Sequence, residues 1–127
     1  MGEQPLIRLQ HRGFGQTIRR LLGSTRVAER ELAGIVADEM NSLSREKATG
    51  QKHKNEFTLE GDLREVGYLK LKTSGFSIRA YFIVLNGTIY MLHLDDNKRR
   101  TDLTDGTKRL LAERVRDVKD SVGERAS

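Results

Sequence analysis

The sequence predicts an α+β domain: a two-helix N-terminal hairpin packed on a small antiparallel β-sheet, with a C-terminal helix completing the fold. Three observations carry this. Apolar residues recur at helical spacing from Phe14 to Leu43; an Asn86-Gly87 pair divides two alternating stretches; and Leu111, Val115, Val118 and Val122 form a narrow helical stripe near the end. The 127 residues suffice for one hydrophobic core and are few for two, so 1–127 is read as a single domain.

Leu6, Ile7 and Leu9 are compatible with a short edge strand before Gly13 and Gly15. Phe14, Ile18, Leu21 and Leu22 then mark a first helix, with Arg19 and Arg20 off its stripe and Gly23 ending it. Ser24 is placed to cap a second helix, whose apolar face is Ala28, Leu32, Ile35, Val36, Met40 and Leu43. Neither stripe can be buried alone and the link is short, so the two helices pair and cover one face of the sheet. Residues 44–56 have almost no apolar content and read as a mobile basic loop; Lys47, Lys52, His53 and Lys54 are solvated charges there or phosphate contacts. For residues 57–67 a helical turn and an irregular approach to the sheet both fit.

The stretch from Tyr68 to Arg100 organises the rest. A two-residue Asn-Gly loop needs positive φ at both positions and joins adjacent antiparallel strands. It sets Leu85 opposite Thr88, Ile83 opposite Tyr90, Tyr81 opposite Leu92 and Arg79 opposite Leu94. The other face carries Ile78, Ala80, Phe82, Val84, Ile89, Met91 and His93, and is the core side. The preceding strand puts Leu69 and Leu71 on that side and Tyr68, Lys70 and Lys72 with Arg79 and Tyr81. Cations hold phosphates and aromatic rings stack on bases, so this second face has what single-stranded nucleic acid requires; an ordinary solvated sheet face has the same pattern. Asp95 and Asp96 read as a turn. Thr104 or Asp105 caps the last helix from about Thr107, whose stripe docks on Ile83, Leu85 and Leu92 or meets a partner, and GERAS frays.

Net charge is +5, which favours polyanionic partners. There is no cysteine, and His11, His53 and His93 lack ligand-like spacing, so no metal and no cofactor is expected. No stretch approaches about 18 apolar residues and the start has no signal-peptide core, so the expectation is a cytoplasmic protein with no membrane association. Phosphate-loop and dinucleotide fingerprints are missing.

YLKLK, then SIRAYFI, then YMLH followed by KRRTDLT and an Ala-x-x-Arg-like helix stand in an order that resembles the RelE/ParE superfamily of toxins from type II toxin–antitoxin systems, most closely the HigB-like, phage-derived branch. The resemblance covers about half the chain, from Tyr68 onward. It implies a RelE-like toxin domain and a metal-independent, ribosome-associated mRNA endoribonuclease (an mRNA interferase), silenced by a cognate antitoxin of helix-turn-helix type. By position it assigns Arg79 to hold the phosphate, with Lys70 and Lys72 beside it, one of them a candidate base. It gives His93 an acid-base role, although the register above buries that residue, and both readings stand. Tyr68, Tyr81, Lys98, Arg99 and Arg100 become RNA or ribosome contacts. Lys70-Leu71-Lys72 replaces the family's Glu-Leu-Arg, so an acid is missing. A non-catalytic basic nucleic-acid-binding regulator, a toxin acting on a protein target such as gyrase, and a phage scaffold protein therefore remain as alternatives.

Overall fold

Short connections and alternating burial give five strands and three α-helices among the described residues. The computed structural model describes residues 4–73, 76–95 and 103–126, without the side chains at 72, 73, 76, 77 and 124–126. In order these are β1 (Ile7–Gln10), α1 (Arg12–Leu22), α2 (Val27–Ala48), β2 (Glu56–Thr58), a 3₁₀ turn (Gly61–Leu63), β3 (Gly67–Thr73), β4 (Phe76–Leu85), β5 (Thr88–Asp95) and α3 (Asp105–Ala126). The sheet order is β1-β5-β4-β3-β2. Four strands are antiparallel, but β1 runs parallel to β5, so the sheet is mixed rather than purely antiparallel. The α1–α2 hairpin carries the chain from one edge strand to the other, which frees β1 from hairpin geometry.

Asn86 and Gly87 have φ of 51° and 76°, both left-handed, as a primed two-residue turn requires. Next to the turn the pairing follows that geometry: Leu85 with Thr88, Ile83 with Tyr90 and Phe82 with Met91. Beyond Phe82 the register shifts, and Tyr81 pairs with His93, Ala80 with Leu94 and Arg79 with Asp95. Leu92 is thus the extra residue of a β-bulge, which corrects the expected Tyr81–Leu92 and Arg79–Leu94 pairs. Burial explains the shift. Met91, Leu92 and Leu94 are all buried, Met91 and Leu94 in one core and Leu92 in the other, which strict alternation cannot achieve.

Two cores sandwich the sheet. On the first face, Phe14, Leu21, Leu32, Val36 and Leu43 of α1 and α2 meet Leu69, Leu71, Ile78, Ala80, Phe82, Ile89 and Met91. Val84, expected in this core, is 39% exposed because it lies at the hairpin end. On the second face, Leu111, Val115 and Val118 of α3 bury Val66, Tyr81, Ile83 and Leu92, with Leu85, Tyr68 and Tyr90 packed alongside. None of the helices is long and apolar enough to cross a membrane, among the described residues.

Several boundaries differ from expectation. Arg26, not Ser24, is the residue before α2; Ser24 Oγ accepts a hydrogen bond from the Arg26 N–H and shapes the connecting turn instead. The helix continues to Ala48, five residues into the supposed loop; Ser44 is buried and its carbonyl accepts from the Leu6 N–H. The remaining segment is pinned. His53 is buried against Glu39 at 2.8 Å, and its Nδ1 accepts from the Asn55 N–H at 3.0 Å. Buried Glu56 receives Lys47 Nζ at 2.6 Å and the His53 N–H at 3.1 Å. Lys47 and His53 are therefore structural, and only Lys52 and Lys54 are exposed. Thr104 Oγ1 accepts from the Thr107 N–H and caps α3, which stays helical through Ala126 where fraying was expected.

Candidate nucleic-acid interface

Cross-strand neighbours share a face, so the register aligns two rows across the second face of the sheet. One is charged: Lys70 opposite Arg79, and Arg79 opposite Asp95. The other is aromatic: Phe57 on Tyr68 at 5.5 Å between ring centroids, Tyr68 on Tyr81 at 5.4 Å, and Tyr81 on His93 at 6.0 Å. The rows interlock where the Arg79 guanidinium carbon lies 5.4 Å from the centre of the Tyr68 ring, a cation–π distance. Lys70, Arg79, Asp95, Tyr68 and His93 are all half-buried.

The bulge decides the place of His93. Regular alternation would send it beneath α1 and α2; the extra residue turns it to the side of Arg79 and Tyr81. Arg114 of α3 then fixes the ring. Its Nη1 donates to the Leu92 carbonyl at 2.7 Å and lies 3.3 Å from His93 Nδ1. Arginine has no acceptor, so Nδ1 is the acceptor and a neutral imidazole carries its hydrogen on Nε2. Burial pulls the Arg114 guanidinium below its ordinary range, while Glu113 and Asp117 act the other way. The guanidinium also fills the space beside Gly13, where any Cβ would collide with it. Just before Gly13, His11 caps α1 through Nδ1 and reaches Asp117 of α3 at 2.9 Å through Nε2, so α1 and α3 are tied together next to this arginine.

Tyr81 departs from expectation. It is fully buried under α3 and cannot stack on a base. Its hydroxyl makes no hydrogen bond of acceptable geometry, and burial pushes its ionisation above the usual tyrosine range, with Arg79 pulling it back down. The accessible ring is Phe57, 45% exposed at the edge of the row, in the 57–67 segment whose structure the sequence leaves open. Asp95 is missed too: it ends β5 rather than forming a turn, and stands opposite Arg79 of β4. Arg114 left only a faint signal, an arginine bordering the Leu111–Val115 stripe. Lys72 stands opposite Ser77 in the backbone register, but its side chain lies outside the described residues, as do Lys98, Arg99 and Arg100.

A groove of about 1010 Å³ opens beside this face, between α3 and the 3₁₀ turn, with Tyr68 at its inner wall. No cluster of metal-ligating side chains occurs among the described residues.

No protein-family model matches the chain, and no curated protein matches it significantly. Among solved structures, a chain of the RelBE2 toxin–antitoxin complex from Mycobacterium tuberculosis superposes with a TM-score of 0.52 at 17% identity, over 74% of this chain and 100% of that one. At that identity the likeness is one of fold, and the fold is RelE-like.

Proposed function

We propose that this chain is the toxin of a toxin–antitoxin pair, of the HigB-like branch, and that it cleaves messenger RNA on the ribosome without a metal ion. The observation that carries the reading is the row Lys70–Arg79–Asp95, two cations and a carboxylate side by side on one half-buried sheet face. The neighbouring complex is a toxin–antitoxin assembly, which supports an antitoxin as partner, here of helix-turn-helix type. Ribosomes place the activity in the cytoplasm.

In such cleavage the ribose 2′-oxygen bonds to phosphorus as the P–O5′ bond breaks, leaving a 2′,3′-cyclic phosphate and a 5′-hydroxyl. One proton leaves the 2′-hydroxyl and one reaches the 5′-oxygen. Arg79 holds the phosphate with a forked pair of donors and Lys70 adds a point charge, so the developing negative charge meets fixed cations. Asp95, beside Arg79, accepts the 2′-hydroxyl proton, a role that Lys70 fills only if its amine is neutral. His93, with Nδ1 engaged by Arg114, offers its Nε2–H as a hydrogen bond to a phosphate oxygen, and the proton that the 5′-oxygen gains comes from water. Lys72 adds to the cationic patch, and Lys98, Arg99 and Arg100 contact ribosomal or messenger RNA. Phe57, rather than Tyr81, is the ring a base stacks on, with Tyr68 behind it.

The test is purified protein added to translating ribosomes, with RNA ends mapped and their chemistry read. New 5′-hydroxyl ends within translated sequence, abolished by Arg79→Ala, are expected. Growth arrest on expression with intact messages would favour the second reading, a non-catalytic regulator or an inhibitor of a protein such as gyrase. That reading draws on the Lys70-Leu71-Lys72 departure and on the sealed ring of Tyr81.

A further inference from the structure

We propose that the outward face of α1, continued by Arg26, is a second RNA-binding surface, one that grips the phosphodiester backbone of duplex RNA. It rests on the reading that this chain acts on RNA, and it lies on the opposite side of the sheet from the Lys70–Arg79–Asp95 row.

The charge of the chain is concentrated here. Residues 4–28 contain five arginines, Arg8, Arg12, Arg19, Arg20 and Arg26, and no lysine, aspartate or glutamate. Along α1, Arg12, Gln16, Arg19 and Arg20 recur at i, i+4, i+7 and i+8, which is one helical face, and all are exposed. The buried face is Phe14, Gly15 and Leu21. At a rise of about 1.5 Å per residue the stripe runs for roughly 12 Å, straight and uninterrupted by any acid. Arg12 and Arg19 have no acidic partner among the described residues, and Arg26 reaches Glu29 only at 3.8 Å from a highly exposed position.

Helix electrostatics does not account for this placement. Arg19 and Arg20 sit in the last turn of α1, where cations are favourable, but Arg12 opens α1 and Arg26 precedes α2, both at the positive end of a helix dipole. Selection for stability alone would place acids there. An external polyanion removes the conflict, and arginine's fork fits phosphate oxygens better than lysine's point charge. A rigid linear row with no exposed aromatic on it suits the regular backbone of a duplex, read by shape and phosphates, rather than splayed single-stranded bases. The Arg12 end of the stripe adjoins Gly13, which abuts the Arg114 that reaches His93, so one folded RNA can engage both surfaces.

The experiment compares the wild-type chain with a triple variant, Arg12→Gln, Arg19→Gln and Arg26→Gln, which touches no core residue. Binding is measured over a range of salt to a duplex RNA hairpin of about 20 base pairs, to a duplex DNA of the same length, and to a short single-stranded RNA. The triple variant should bind the hairpin about tenfold or more weakly, with a log–log salt slope smaller by about two to three, and the short RNA as the wild type does. Equal hairpin binding by the two proteins overturns the proposal, as does tighter binding of duplex DNA lost through the same three residues. Capture of an acidic protein with no hairpin binding overturns it as well. An Arg79→Ala control separates the two readings: it should bind the hairpin as the wild type does, and if the wild type yields no new RNA ends with translating ribosomes while the hairpin arm behaves as expected, the cleavage reading fails and this one stands.

Discussion

Tyr81 stands opposite His93 across β4 and β5, their ring planes 20° apart, because Leu92 is an extra residue between Met91 and His93. That insertion moves His93 from the helix-covered side to the side of Arg79 and brings Asp95, rather than Leu94, level with the arginine. The composition of the charged row is thus a consequence of one bulge.

From the row follows a split between binding and chemistry. Asp95→Asn should lower RNA cleavage by about 10²–10⁴-fold, the usual worth of a general base, while binding of an uncleavable 2′-deoxy analogue stays within a few fold. Lys70→Ala and Arg79→Ala should weaken that binding as well. The check is single-turnover cleavage beside equilibrium binding on the same three variants; equal loss of binding in Asp95→Asn would remove its role as base.

Gly13 and Gly34 should respond to alanine with opposite signs. Gly34 lies on the exposed face of α2 with nothing near a new Cβ, so Gly34→Ala should stabilise by about 0.5–1 kcal/mol through helix propensity. Gly13 is also helical, but its Cβ would displace the guanidinium of Arg114 from Leu92 and His93. Gly13→Ala should therefore cost about 1–2 kcal/mol, the loss of a partly buried charge-assisted hydrogen bond outweighing propensity. Chemical denaturation measures both, and imidazole nitrogen shifts should show the Nε2–H tautomer of His93 in the wild type and its loss in Arg114→Ala.

Much of this architecture is written in the sequence in plain physical terms. The Asn86-Gly87 turn fixes the hairpin because few other pairs tolerate two left-handed residues, and helical stripes mark α1, α2 and α3 because each must bury one face. The bulge was not legible: Met91-Leu92-His93-Leu94 alternates acceptably in either register, and only the helices packed on both faces decide between them. The burial of Tyr81 was hidden for the same reason, since a stripe such as Leu111–Val122 shows that α3 must dock and not where its edge falls. The 44–56 segment looked like solvent-facing charge because its order comes from pairs distant in sequence, Glu39 with His53 and Lys47 with Glu56.

Those pairs give a third expectation. Lys47→Met leaves the buried Glu56 carboxylate with only the His53 N–H, and should destabilise by about 2–4 kcal/mol. Lys52→Met and Lys54→Met, at exposed positions in the same segment, should stay within about 0.5 kcal/mol of the wild type. Urea midpoints distinguish the cases directly, and equal effects at all three positions would mean that Lys47 is as solvated as its neighbours.

Tyr81 makes the stability of the protein depend on alkaline pH. Burial raises its ionisation above that of an unfolded chain, where tyrosine titrates near 10, and the nearby Arg79 only partly offsets this. Below that range both states are neutral at this residue and its contribution is complete. As pH climbs through it, the unfolded chain loses the proton first, so stability declines until the folded state's own higher ionisation range is reached. Tyr81→Phe has no such titration. Near pH 8 it should stay within about 1 kcal/mol of the wild type, since the buried hydroxyl it removes has Arg79 beside it but no hydrogen bond of good geometry. Above pH 10 the variant should pull ahead, by at most roughly 1.4 kcal/mol per pH unit. Denaturation at pH 8, 9.5 and 10.5 measures the gap; a gap that stays constant would show that Tyr81 ionises with equal ease folded and unfolded, and hence that α3 does not seal it.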